Sequence, residues 1–312
     1  MANITAAMVK ELREMSGAGM MDCKKALAET NGDMEAAIEF LRKNGQAKAE
    51  KKAARIAAEG ICRVAVEGDN VAAVVEVNSE TDFVAKNEMF QAYVAAVAQQ
   101  IIKSNAADVE ALMEEAWIED TTKTVKDALV EKVATIGENL KIRRFEKVVA
   151  ENGCVVSYTH GGGRIGVILE AETDVVNDAI KEAMTNLAMQ VAALNPKYVA
   201  TSDVSEEYKE HEKEIIAAQI ANDPKMADKP EKVIAGAVMG RLNKQLKEVC
   251  LLEQVYVKAE DGKQTVSQYV AQVAKENGAK LTIKKFVRFE TGEGLEKKQD
   301  DFAAEVAAQM NM

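Results

Sequence analysis

An α+β fold with a duplicated core of antiparallel sheets is predicted by the sequence, on three observations. Apolar residues follow a helical period through the first 55 residues, and from about residue 60 they follow the two-residue period of strands. Proline is rare, with 3 in 312 residues, and alanine is frequent, which favours helices. A strand–strand–helix pattern then occurs twice, and helices on one face of each sheet give an α+β architecture.

The N-terminal module, residues 1–55, is predicted to contain three short helices. Gly17 ends the first helix, the second covers about 22–30, and Asp33 caps the third. The apolar residues of the first helix fall at helical spacing: Ile4, Met8, Leu12 and Met15. Because so small a bundle buries little apolar surface, we expect a mobile satellite module. The Lys- and Ala-rich stretch 48–55 is interpreted as a solvated connecting helix.

The first core unit is predicted over 56–149. Two strands, around 64–66 and 71–77, are joined by a tight hairpin turn. A further helix is expected over about 108–134 and a last strand over 140–149. Between them lies a helix with one apolar face, formed by Phe90, Val94, Val97 and Ile101.

An internal repeat is indicated by two matches at one offset. Cys154 follows Cys62 by 92 residues, and a second Thr-Asp pair, at 173–174, follows that at 81–82 by the same distance. Between the Cys and the Thr-Asp of each copy lies a strand that ends in Glu, 74–76 in the first copy and 168–170 in the second, so the repeat has a two-residue slip before the loop. In this alignment Val175 stands in place of Phe83, and a second amphipathic helix covers about 177–193. The second core unit is therefore predicted over 150–290, with a helix at 265–277 and a strand at 281–289.

A helical hairpin is predicted at 203–249, within the second core unit. All three prolines fall between 196 and 230, and helical stretches cover 203–221 and 231–249. Each arm of ~19 residues would reach roughly 28 Å. Antiparallel hairpins of this kind dimerise or dock a partner, and the sequence leaves both open. A Gly-containing linker then leads to a C-terminal helix within 291–312, with an apolar stripe of Phe302, Val306 and Met310.

The composition excludes several classes of function. The chain has 40 Lys and Arg against 51 Asp and Glu, a net charge of −11, which disfavours direct binding of nucleic acid. Its 4 cysteines form no Cys-x-x-Cys pair and there are only 2 histidines, which disfavours a zinc site. With no long apolar run and no signal-peptide pattern, we expect a soluble, cytoplasmic protein without a membrane segment.

The glycine-rich stretch 161–166 formally matches the dinucleotide fingerprint G-x-G-x-x-G. That fingerprint must follow a strand and open a helix, whereas these glycines lie between two predicted strands. A nicotinamide-dependent oxidoreductase is therefore disfavoured, and the stretch is interpreted as a flexible hairpin loop. His160 and His211 have no neighbouring nucleophile or carboxylate motif, so both are interpreted as surface or contact residues.

The segment 78–87, NSETDFVAKN, joins a predicted strand to a predicted helix. Thr81, Asp82 or Asn87 could each cap a helix there. Phe83 is a large apolar residue among polar ones, and capping does not explain it. Either Phe83 folds inward or it is held for a partner, and the sequence favours neither.

Five segments spread over the whole chain match one known family: KELRE…SGAGMMDCKKAL at 10–27, TDFVAKN at 81–87, IGENLKIRR at 136–144, RIGV at 164–167 and RFETGEGLEK at 288–297. Through these segments the chain resembles the family of bacterial elongation factor Ts. The resemblance implies a guanine-nucleotide exchange factor for elongation factor Tu, with no covalent chemistry and no cofactor. It also implies that 1–55 is ubiquitin-associated-like, that 203–249 is a coiled coil and that 291–312 is a C-terminal helical module.

The resemblance also implies roles for individual residues. Asp82 and Phe83 are similar to the pair that intrudes beside the Mg²⁺ site of the GTPase, and Thr81 and Val84 flank them. Other partner contacts are implied at Lys10, Arg13, Met20 and Met21 of the N-terminal module, at Ile136, Gly137 and His160 of the core, and from Asp301 onward. Three glycines after His160 depart from the family pattern. The alternative function is a non-catalytic scaffold that binds partners through the hairpin, and a homodimer or heterotetramer formed there stays open.

Overall fold

A computed structural model describes residues 4–223 and 229–296. Its N-terminal part is a three-helix bundle of α1 (Ala6–Ser16), α2 (Met20–Glu29) and α3 (Met34–Lys52). Gly17 ends α1 in the left-handed region, and the Asp33 carboxylate caps α3 by accepting from the Ala36 N–H. The prediction of three helices is confirmed. They bury a small shared core of Val9, Leu12, Cys23, Ala26, Leu27 and Ala37.

The first core unit contains β1 (Glu59–Glu67), β2 (Val71–Ser79) and β5 (Lys141–Val149), which form an antiparallel sheet in the order β1-β2-β5. Between β2 and β5 lie six shorter or helical elements: α4 (Asp82–Ala85), α5 (Glu88–Lys103), α6 (Val109–Met113), β3 (Ala116–Trp117), β4 (Asp120–Thr124) and α7 (Val125–Ile136). The side chains of α5 pack on one face of the sheet and bury Phe90, Val94, Val97 and Ile101, as the sequence predicts.

The single helix expected over 108–134 is wrong. A short antiparallel hairpin of β3 and β4 separates α6 from α7. Trp117 is buried and its ring lies 5.8 Å from that of Tyr93. The Asp120 carboxylate, directly after the turn, accepts from the Thr122 N–H of the same strand. Burial of one indole and a side-chain turn therefore outweigh helix propensity in this stretch.

Of the stretch predicted as a solvated connecting helix, 48–55, residues 48–52 are the end of α3, which packs on α7. Lys48 forms an ion pair of 2.8 Å with Asp22 of α2. Gly45 lies against the side chains of Val130 and Ala134, where a Cβ atom would be 3.7 Å from each. The bundle is therefore in direct contact with the first core unit in this structure.

The second core unit repeats the topology of the first. Strands β6 (Gly153–His160), β7 (Ile165–Thr173) and β8 (Leu281–Glu290) form an antiparallel sheet in the order β6-β7-β8, and α8 (Asp178–Leu194) follows β7 as α5 follows β2. The helix α11 (Val266–Glu276) precedes β8. The two sheets pack face to face through a layer that includes Cys62, Val74, Val155, Ile168 and Phe289. An internal repeat is thus present.

The predicted match of Glu170 with Glu76 is confirmed, since a bulge follows each of these residues, but the register differs from the prediction at the Cys and Thr-Asp matches. Gly60 and Gly153 both have positive φ, and a Cβ atom would lie 2.2 Å from the Val77 oxygen in one unit and 2.1 Å from the Ala171 oxygen in the other. This equivalence places Thr173 on Ser79 rather than on Thr81, and Cys154 on the residue before Cys62. The two cysteines accordingly lie on opposite faces of their sheets.

Phe83 consequently has no counterpart in the second unit. The hydroxyls of Ser79 and Thr173 each donate to a carbonyl two residues ahead, at 3.0 Å, so Val175 occupies the place of Thr81 and not that of Phe83. Asn87 and Asn177 then cap α5 and α8. The short helix α4 is therefore an insertion that belongs to the first unit alone.

The predicted helical hairpin is confirmed as α9 (Glu206–Ala221) and α10 (Glu231–Val249). The arms pack through Ile216, Ile220, Leu242 and Leu246. At its base, Tyr198 and Cys250 form a bridge, and the Leu251 N–H donates to the Tyr198 carbonyl at 2.9 Å. This closed base shows where the hairpin leaves the second core unit.

The stretch TGEG, 291–294, is predicted to be a linker, but the structure fastens it to the first core unit. The Gly292 N–H donates to the buried carboxylate of Glu76 at 2.8 Å, and Arg143 donates to the Glu293 carbonyl at 2.6 Å. The predicted C-terminal helix, with Asp301, Phe302, Val306 and Met310, lies outside the described residues.

Candidate functional site

The loop that joins β2 to α5 carries the candidate site, and its form follows from two caps. The Thr81 hydroxyl accepts from the Val84 N–H at 3.3 Å and begins α4. The Asn87 carboxamide accepts from the Met89 N–H at 2.9 Å and begins α5. Of the three capping candidates, Thr81 and Asn87 therefore cap helices.

Phe83 points to solvent, with 80% of its surface exposed. Its neighbours explain why the ring is held outward: Ala85 is buried, and Val84 packs against the core of the first unit. A helix of four residues cannot turn all its side chains inward. Of the two options left open by the sequence, Phe83 therefore does not fold into the core. An exposed Phe on an anchored loop is typical of a contact surface.

Asp82 lies beside Phe83 and is also exposed. Lys86, four residues on, approaches its carboxylate to 2.7 Å. The hydrogen bond from Lys86 lowers the pKa of Asp82 below its usual value, so the carboxylate is ionised at neutral pH. The loop thus presents an apolar ring and a negative charge side by side.

Glu138 is the residue that fastens this loop, and the sequence analysis did not identify it. Its carboxylate accepts three hydrogen bonds: from the N–H groups of Glu80 and Thr81, both at 3.0 Å, and from the Thr81 hydroxyl at 2.7 Å. Glu138 follows α7 directly. No local pattern links it to Thr81, which is 57 positions away in sequence.

A second set of hydrogen bonds extends the junction to the end of the N-terminal module. The Asn139 N–H donates to the Glu80 carboxylate at 2.6 Å, and its carboxamide donates to the Arg55 carbonyl at 2.8 Å. Arg55 approaches Glu80 to 3.4 Å. Three separate parts of the chain therefore meet behind Phe83.

Ile136 and Gly137 lie at the end of α7, immediately before Glu138. Ile136 is half-buried and packs on the core of the first unit, and Gly137 ends α7 with a φ of 90°. The structure thus joins these two predicted residues to the Phe83 loop through Glu138.

His160 ends β6 on the neighbouring sheet. Its Nδ1 atom lies 3.1 Å from the Tyr158 hydroxyl, and the ring is exposed. The glycine turn that follows packs against β1 at Ile61, and α4 also packs on β1. The His160 turn and the Phe83 loop therefore flank the same strand.

The remaining predicted residues belong to the N-terminal bundle. Lys10, Arg13, Met20 and Met21 are all exposed, Met21 by 74%. Lys10 pairs weakly with Glu14, at 3.7 Å, on the surface of α1. The structure places them on the bundle and not in the loop cluster around Phe83.

The glycines at 161–166 are placed between β6 and β7 and open no α-helix, which is inconsistent with a dinucleotide fingerprint. Gly166 instead allows the two sheets to approach, since a Cβ atom there would lie 3.0 Å from Val74. In the described residues, 4–223 and 229–296, no cluster of three metal-binding side chains occurs. Within the same ranges, no helix has the length and apolar character to cross a bilayer.

Comparison with known proteins identifies the family. A family model described as Elongation factor TS matches residues 80–293, which include the Phe83 loop. The elongation factor Ts of Clostridium novyi (strain NT) is 51% identical over 309 residues, covering 99% of both chains. That of Clostridioides difficile (strain 630) is 51% identical over 311 residues, 99% of this chain and 100% of the relative. The elongation factor Ts of Clostridium perfringens (strain SM101 / Type A) is 50% identical over 305 residues, 97% and 98% of the two chains. With its α+β fold, family match and full-length similarity, the chain belongs to the elongation factor Ts family of translation elongation factors.

Proposed function

We propose that this protein is a guanine-nucleotide exchange factor for elongation factor Tu. It binds the GDP-bound GTPase, and Asp82 and Phe83 enter beside the Mg²⁺ site. Displacement of the metal weakens the binding of GDP. GDP then dissociates, and GTP can bind. The factor itself makes and breaks no covalent bond. The observation that carries this proposal is the 80% exposure of Phe83 on a loop whose start is held by three hydrogen bonds to Glu138.

The energetics require more than the Phe83 ring. By linkage, the factor weakens the binding of GDP to the GTPase by the same ratio by which GDP weakens the binding of the exchange factor. A ~1000-fold weakening needs about 4 kcal/mol of coupling. Burial of one Phe side chain supplies roughly 1.5–3 kcal/mol. Loss of Mg²⁺ coordination must supply the rest, and contacts from the exposed residues of α1 and α2 and from the His160 turn stabilise the displaced state.

Release of labelled GDP from elongation factor Tu tests the proposal directly. We expect the full-length factor to raise the GDP off-rate by orders of magnitude and free Mg²⁺ in excess to oppose it. A scaffold would bind the GTPase without changing that off-rate. If the factor bound the GTPase but left the GDP off-rate unchanged, the result would contradict the exchange function and support the scaffold function.

The division of the chain into units is part of the proposal. We assign 1–55 to the ubiquitin-associated-like module and 291–312 to the C-terminal module. The two core units are 56–149 and 150–290, and the hairpin 203–249 is inserted in the second of them. We place the protein in the cytoplasm, where its four free, buried cysteines stay reduced.

Replacement of the hairpin, 203–249, by a short Gly linker should leave the GDP off-rate at saturating factor nearly unchanged. The closed base at Tyr198 and Cys250 allows the core to be rejoined there. The arms lie on a projection with a core of its own, so the sheets keep their packing. A stopped-flow titration of wild type and deletion variant checks this. If the maximal rate collapsed in a deletion variant that still melted cooperatively, the hairpin would be part of the exchange machinery.

The hairpin has a second candidate role as a contact surface. Its α10 arm exposes Val233 and Met239 to solvent. Such residues favour association with a second copy or another protein, and the oligomeric state of the deletion variant reports on it.

A further inference from the structure

We propose that Glu138 is a positioning residue for nucleotide exchange, which sets the direction of Phe83 before the partner binds. This inference rests on the proposed exchange function. It concerns a residue that acts through its hydrogen bonds to the backbone at Glu80 and Thr81 and to the Thr81 hydroxyl.

The short helix α4 cannot hold its own shape. A single turn of four residues makes too few internal hydrogen bonds to offset the ordering of its backbone. Packing of Val84 and Ala85 fixes the inner side of the turn. Its start is fixed by Glu138, which accepts from two successive N–H groups and from the capping hydroxyl of Thr81.

Three donors on one carboxylate constrain the loop strongly. Hydrogen bonds to an ionised acceptor are roughly twice as strong as neutral ones. Because two of the donors are consecutive backbone amides, the peptide planes of Glu80 and Thr81 cannot rotate without breaking a bond to Glu138. Phe83 is two residues further on, so its direction depends on these planes.

The attachment is reciprocal. The carboxylate of Glu80 accepts from the Asn139 N–H at 2.6 Å, while Glu138 accepts from the Glu80 N–H. The end of α7, with Ile136 and Gly137, and the Phe83 loop are therefore linked in both directions. The two predicted contact regions would meet the GTPase as one rigid surface, which lowers the ordering cost of binding.

The second core unit offers an internal comparison. Thr173, the structural equivalent of Ser79, donates to the Val175 carbonyl and accepts from the Val175 N–H, so its hydroxyl is satisfied within its own turn. That turn carries no inserted helix and no equivalent of Phe83. The second unit does repeat the Glu80–Asn139 contact. The Asp174 carboxylate accepts from the Lys280 N–H at 2.7 Å, but Ala279 stands where the first unit has Glu138. The attachment through Glu138 thus accompanies the inserted helix α4, as a positioning role requires.

Glu138→Gln tests the inference, because it preserves size and removes the charge and half of the acceptor capacity. We expect the maximal GDP-release rate to fall about tenfold, as for the loss of one or two net hydrogen bonds. The half-saturating concentration of factor should change little, since the exposed contact residues remain. Amide hydrogen exchange at Glu80 and Thr81 should become faster. Glu131→Gln is the matched control: Glu131 lies on α7, pairs with Lys123 at 2.8 Å, and should leave the release rate unchanged.

Two further variants keep the test decisive. Glu138→Asp shortens the side chain by one methylene and should give a maximal rate between those of wild type and Glu138→Gln; it replaces the glutamine variant if that one fails to fold. Thr81→Val removes the hydroxyl that donates to Glu138 and caps α4, and it should lower the maximal rate in the same direction as Glu138→Gln. A folded Glu138→Gln or Glu138→Asp variant with wild-type maximal rate and unchanged amide protection would overturn the inference. If wild type itself released no GDP, the proposed function would fail, while the amide-protection measurement would still report on the attachment.

Discussion

Phe83→Ala is expected to slow GDP release by about 10- to 100-fold at saturating factor, with the fold intact. The substitution removes roughly 1.5–3 kcal/mol of apolar burial, and each 1.4 kcal/mol changes a rate tenfold. The ring is exposed in the factor alone and becomes buried only against the partner. The lost burial energy therefore weakens the interaction that competes with bound nucleotide and metal, and GDP release becomes slower. Stopped-flow release of labelled GDP over a titration of factor gives the maximal rate.

Thermal or chemical unfolding provides the second half of this test. A surface substitution changes the free energy of unfolding by less than about 0.5 kcal/mol, whereas loss of a core Phe costs about 3–5 kcal/mol. With 80% of Phe83 exposed, we expect the smaller change. Val176→Ala, at an exposed position in the corresponding turn of the second unit, is the control and should alter neither property. Normal release by a folded Phe83→Ala variant would remove the ring from the mechanism.

Much of the fold could be predicted because its determinants are local. The change from a helical to a two-residue period marks β1 and β2, and Asp33 and Asn87 act as caps within three residues of the amides that they accept from. The helical hairpin follows from two long helical stretches on either side of a proline-rich turn. These features need no knowledge of distant contacts.

The wrong predictions concern features that are determined by contacts between residues distant in sequence. Over 108–134 the residues have acceptable helix propensity, but Trp117 gains more by packing on Tyr93, and a strand pair results. In the repeat, the matching Cys and Thr-Asp positions agree by coincidence. The structural register is set instead by Gly60 and Gly153, which admit the backbone of the neighbouring strand. A slip of one residue moves a side chain to the opposite face of a sheet, so Cys62 and Cys154 could not be equivalent.

In the candidate site, too, local features could be predicted from the sequence, whereas features that depend on long-range contacts could not. The residues 81–84 could be singled out because an apolar residue among polar ones is conspicuous in a sequence. The exposure of Phe83 depends on how Val84 and Ala85 pack, which the segment does not encode by itself. Glu138 is one acidic residue among many, and its role depends on hydrogen bonds to residues 57 and 58 positions away. Only the folded chain reveals that contact.

Glu76→Ala is expected to lower the free energy of unfolding by about 3–5 kcal/mol at neutral pH, the cost of breaking a buried ion pair on one side. The Glu76 side chain is fully buried. It accepts from Arg144 at 2.6 Å, from Arg143 at 3.0 Å and from the Gly292 N–H at 2.8 Å. Removal of the carboxylate leaves two guanidinium groups and an amide without this acceptor. It also removes the hydrogen bond from the Gly292 N–H, one of those that hold residues 291–294 to the first core unit. Urea unfolding of both proteins measures the difference.

The pH dependence gives this prediction a distinct signature. Burial opposes ionisation of Glu76, but the hydrogen bonds from Gly292, Asn78 and the two arginines outweigh it and lower its pKa below the usual value. A carboxyl whose pKa is lower in the folded state stabilises the fold above its unfolded pKa, and this contribution is lost as the pH falls toward the folded pKa. The difference in stability between wild type and Glu76→Ala should therefore be full at pH 7 and shrink on acidification below about pH 4.5. Glu39→Ala, which breaks an exposed ion pair with Lys43, should change the free energy of unfolding very little at any pH. If Glu76→Ala were no less stable than Glu39→Ala at pH 7, the two arginines would be satisfied by solvent. Glu76 would then not hold residues 291–294 to the first core unit.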